Sequence, residues 1–176
     1  MLGGVTHLTL TNSYNPLDVF RTVDQIRFGH NVHFAMTRNV EDEYWIETAQ
    51  VRVWLSFFDE CRRRGEPVRL RVHPREALQS YQALQRAYKS VLRLDGQDLT
   101  FQSWLERIGI LVGFNSTTFF EAVAAGKPAI SLDGLLGQRL AEHRDDFPTS
   151  RYPILEYVAQ PDSWEALFDV VQHVRS

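Results

Sequence analysis

The chain has 176 residues, 44% of them apolar and 23% charged, with a formal net charge of −3 at pH 7. That length fits one domain with a sizeable core, the composition is that of a globular chain, and the charge argues against a general nucleic-acid binder while leaving room for a local basic cleft. A single cysteine, Cys61, excludes an internal disulfide and suits a reducing cytoplasm; the opening MLGGVTHLTL lacks a signal-peptide pattern, and no apolar run is long enough for a transmembrane segment.

Residues 5–10 alternate and predict a first strand, closed by the turn Thr11-Asn12-Ser13-Tyr14-Asn15-Pro16. Residues 17–26 carry a short helical pattern and 32–36 a short strand pattern. Glu41-Asp42-Glu43 place acids ahead of a long helix over residues 44–64, where they favour its amino end. Its apolar stripe is Val51, Trp54, Leu55, Phe58 and Cys61; Arg62-Arg63-Arg64 fill the last turn, and Gly65 ends it. Phe57 and Phe58 are adjacent and cannot both face fully inward. With Trp45 and Trp54 they predict an exposed aromatic patch, which would mark a docking surface.

Residues 68–72 read as a strand stopping at His73-Pro74, and 76–91 as an amphipathic helix with Leu78, Tyr81, Leu84, Tyr88 and Val91 on one face. A strand follows over 91–94 and a helix over 99–107. Residues 110–132 form the most legible unit: strand Ile110-Leu111-Val112, a turn of small and hydroxyl residues, a helix stopped by Gly126-Lys127-Pro128, and another buried strand. Residues 134–151 read as surface loop, irregular or partly helical, and 153–158 as a last short strand. A terminal helix over 163–174 turns Trp164, Leu167, Phe168 and Val171 inward. The alternation predicts the α/β class: one Rossmann-like three-layer sandwich over 1–176 with a mostly parallel sheet and a motif core over 68–132.

In such sheets ligands bind outside the carboxyl ends of the strands. Three polar clusters fall there: Thr11 to Ser13, His73 to Arg75, and Asn115 to Thr118. The turn before the helix at 119 is a natural phosphate seat, with backbone N–H groups and the hydroxyls of Ser116, Thr117 and Thr118 converging on it. Each residue also has a plain structural reading. Ser116 and Thr117 are helix-capping types, and His73 can be a strand-end residue bonded to backbone. As a ligand residue, His73 would donate to a phosphate or leaving group, with Arg71 and Arg75 holding anions. Arg69 and Arg71 share one strand face, so either the strand lies near a solvated sheet edge or the arginines pair with acids. Thr118-x-x-Glu121 fits a capping box, while a carboxylate there also suits ribose hydroxyls. His30-x-x-His33 lacks an acid or thiol partner at ligand spacing, so no metal site is expected.

The pairing of Arg71-Val72-His73-Pro74 with Gly113-Phe114-Asn115-Ser116-Thr117, followed by Glu121-Ala122 and Pro128, resembles the C-terminal, nucleotide-sugar-binding half of GT-B glycosyltransferases. Bacterial capsule and surface-polysaccharide enzymes, of the sialyltransferase-like and Kdo-transferase-like groups, are the nearest in pattern. The resemblance covers residues 68–132. It implies that His73, Ser116 and Thr117 contact the nucleotide phosphates and that Glu121 lies near the ribose or base. The implied ligand is a CMP- or UDP-linked sugar donor, with no tightly bound cofactor. The family's catalytic acid or base comes from a second Rossmann-like domain, which a chain of this length does not accommodate. The acidic-pair-then-glycine motif of the sialyltransferase-like groups is also missing, since Tyr44 follows Glu41-Asp42-Glu43. The resemblance thus implies half of a split enzyme, an excised domain or an inactive relative, with no catalytic residue assigned here. Two other readings stay open: a non-catalytic interaction module on the same fold, and half of a sugar-nucleotide epimerase-like enzyme.

Overall fold

A computed structural model describes residues 1–5, 40–72, 78–95, 98–114, 116–142 and 153–176. Five short strands, β1 (Leu2–Val5), β2 (Val68–Arg71), β3 (Leu92–Asp95), β4 (Ile110–Gly113) and β5 (Ala129–Ser131), form one all-parallel sheet in the order β3-β2-β1-β4-β5. The central strand β1 sets Leu2 beside Val68 of β2 and Ile110 of β4. All the described side chains of β4 and β5 are buried, as expected where helices cover both faces.

The helices are α1 (Val40–Arg64), α2 (Gln82–Ala87), α3 (Phe101–Leu105), α4 (Thr118–Ala124), α5 (Asp133–Ala141) and α6 (Trp164–Arg175). Strand alternation sorts the core against the sheet into two large clusters, one per sheet face. Leu2, Val68, Leu70, Ile110, Val112 and Ile130 pack against α1, α6 and the α2 region through Val53, Trp54, Phe57, Phe58, Leu84, Leu167 and Phe168. On the other face Leu111 and Ala129 meet Trp104, Leu105 and Ile108 around α3, Phe119 and Ala122 of α4, and Ile154 and Leu155. This is the three-layer Rossmann-like sandwich that the alternation predicts.

The central strand is built on two glycines because both layers press on it. A Cβ on Gly3 would lie 2.5 Å from Ile108 and 2.9 Å from the Trp104 ring, and one on Gly4 would lie 2.7 Å from the Trp54 ring. The Trp54 ring of α1 also meets the Phe114 ring, just past the end of β4. There Ala49 packs with Leu136 and Leu140 of α5 and with Phe114.

Several expectations are corrected. The first strand begins at Leu2 rather than at residue 5, with Gly3 and Gly4 as close-packed contact surfaces; its described part ends at Val5, and residues 6–10 lie outside the described residues. Residues 76–91 are not one helix: a 3-10 turn over Leu78–Tyr81 leads into the six-residue α2, and Leu78 is exposed. The stretch read as loop from 134 contains most of α5, whose Leu135, Leu136 and Leu140 are buried. Pro153–Tyr157 is a 3-10 helix, and strand-like pairing is confined to a bridge from Ala159 to Ile130. Phe57 and Phe58 are both buried, at 0% and 1% exposure, Phe57 edge-on to the Trp54 ring and Phe58 stacked on it, so these residues make no exposed aromatic patch. Gly65 and Gly126 end their helices with φ of 67°, as their positions predict. The turn expected over 11–16, the elements over 17–26 and 32–36, and the pair His30 and His33 lie outside the described residues.

Candidate functional site at the carboxyl edge of the sheet

The strands that precede the three polar clusters are neighbours, in the order β2-β1-β4. Strand order reverses between β1 and β4, and doubly wound sheets generally bind their ligands outside the carboxyl ends of the strands at such a reversal. Among the candidate residues, Arg71 ends β2, Ser116 and Thr117 follow β4, and Glu121 lies in the first turn of α4. His73, Arg75 and Asn115 lie outside the described residues.

The turn after β4 is wound tightly. Ser116 is 8% exposed, and its Oγ accepts from the Thr118 N–H at 3.3 Å and the Thr118 hydroxyl at 3.0 Å. The amides of Phe119 and Phe120 donate to the carbonyls of Ser116 and Thr117 at 3.2 and 3.1 Å. The amides of Thr118, Phe119 and Phe120, the first of α4, thus find partners inside the turn. Thr117 precedes the helix, is exposed, and makes no side-chain cap bond. The expected capping box does not form as read: Thr118 is the first helical residue, and its N–H goes to Ser116, not to Glu121. Glu121 is exposed.

β2 lies between β1 and β3, which rules out the solvated sheet edge for Arg69. Its Nε and Nη2 instead donate to Asp95 at 2.7 and 2.6 Å, and Trp104 Nε1 donates to the same carboxylate at 2.9 Å. The Asp95 bond raises the Arg69 guanidinium above the usual arginine range. Arg71, 6% exposed, points Nη2 to the Leu99 carbonyl at 2.8 Å, tying the segment after β3 to the sheet edge. At the end of β5, Ser131 is fully buried; its hydroxyl donates to Asp133 Oδ2 and accepts the Asp133 N–H at 3.1 Å.

Asp95, Ser131 and Asp133 escaped the sequence reading. The signal for Ser131 and Asp133 was present: Ser-x-Asp-Gly directly after an apolar run marks a helix start at a strand's carboxyl end. Nothing in the sequence pairs Asp95 with Arg69, 26 positions earlier. Lys127 acts far from this edge, where its Nζ donates to the Ile108 carbonyl just before β4. Burial, reinforced by the charges of Glu66 and Glu60, pushes the Cys61 thiol far up, so it is no nucleophile. Among the described residues, no cluster of three His, Cys, Asp or Glu is placed to hold a metal, and no helix is long and apolar enough to cross a membrane. The chain matches no protein-family model, no curated protein and no solved structure.

Proposed function

We propose that this chain is the nucleotide-sugar-binding domain of a GT-B type glycosyltransferase of surface-polysaccharide synthesis, working in the cytoplasm on a CMP- or UDP-linked donor. The observation that supports this most is the strand order β3-β2-β1-β4-β5. It puts the reversal of strand order between β1 and β4, where sheets of this kind bind ligands, and the Gly-x-x-Ser-Thr turn of the glycosyltransferase-like pattern follows β4 directly. In this reading Thr117, His73 and Arg71 face the donor's phosphates. They stabilise the leaving nucleotide as its negative charge develops, by fixed donors that need no reorganisation. The acceptor-activating carboxylate belongs to a second Rossmann-like domain or chain, so the protein alone binds donor and turns it over poorly.

Calorimetric titration with CMP, UDP, GDP and ADP tests the reading. One nucleotide is expected to bind saturably. His73→Ala and Thr117→Val should each weaken that binding by ~1.5–3 kcal/mol, the worth of a hydrogen bond to a charged group. Thr117 caps nothing through its side chain, so Thr117→Val should leave the melting temperature almost unchanged. Glu121→Gln should likewise leave stability intact, because Ser116 already accepts the Thr118 amide; weaker nucleotide binding in that variant would mark a ribose contact. If no nucleotide binds, the donor reading falls and a non-catalytic interaction module takes its place.

A further inference from the structure

We draw no further inference here: the strongest candidate, the patch of exposed Phe120 and Val123 side chains on α4, is an apolar face, and nothing in the structure shows what covers it.

Discussion

Asp95 accepts three hydrogen bonds from inside the protein, two from Arg69 and one from Trp104, and the side chains of the ion pair are only 10% and 13% exposed. Removing one partner of such a pair strands the other charge in a medium that solvates it poorly, which costs more than the pair itself contributes. Asp95→Leu is therefore expected to lower stability by about 3–5 kcal/mol in urea denaturation. The double variant Arg69→Met with Asp95→Leu should recover most of that loss. If the double variant is as unstable as the single, the ion pair is not the cause. Period-2 spacing showed that Arg69 and Arg71 share a strand face, and it offered a solvated edge or acidic partners. Choosing between them required knowing which strands flank β2, and Asp95 sits on one of them.

β1 shows how an element can be misread when its neighbours are unknown. A Gly-Gly pair in isolation reads as a break, since glycine gains most from an unfolded backbone and offers no side chain to pack. In the sheet the missing side chains are the fit: Trp104 and Ile108 occupy one face of the strand and Trp54 the other. Gly4→Ala should cost about 1–3 kcal/mol by overpacking against a buried ring. Among the described residues a Cβ on Gly113 meets Phe119 at an ordinary 3.8 Å, so Gly113→Ala should cost clearly less in the same unfolding assay. Equal costs at the two positions would mean that backbone entropy, not the Trp54 contact, dominates. The same blindness explains α5. Its Leu135, Leu136 and Leu140 are an apolar face only because α1 and Phe114 stand opposite. Without that wall the sequence shows glycines and polar residues.

Among the described residues, the ends of the two longest helices meet. Arg175 of α6 makes a paired bond to Glu66, just past α1, at 2.8 and 2.5 Å, and Arg64 lies over the Phe168 ring at 4.3 Å. Beneath them Cys61 is fully buried, with its thiol pushed far above the usual range chiefly by that burial. It should report on global opening alone. Iodoacetamide at pH 8 is expected to label the native chain on the order of 10³-fold slower than the urea-unfolded chain, because the thiol reacts only in molecules that have opened. Fast labelling of the native state would show that α6 leaves α1 in a local fluctuation.

The sequence by itself determined what depends on nearest neighbours along the chain: the α/β alternation, the strand–turn–helix–strand unit around β4, the helix stops at Gly65 and Gly126, and the inward face of α6. These follow from periodicity and backbone preference, which act within a few residues. Tertiary structure alone decided the strand order and with it the point where that order reverses. It also decided the Arg69–Asp95–Trp104 network and the burial of both Phe57 and Phe58. Each of these joins segments far apart in the chain, and the strength of a contact, the burial of a ring or the cost of a charge depends on what lies across space rather than along the sequence.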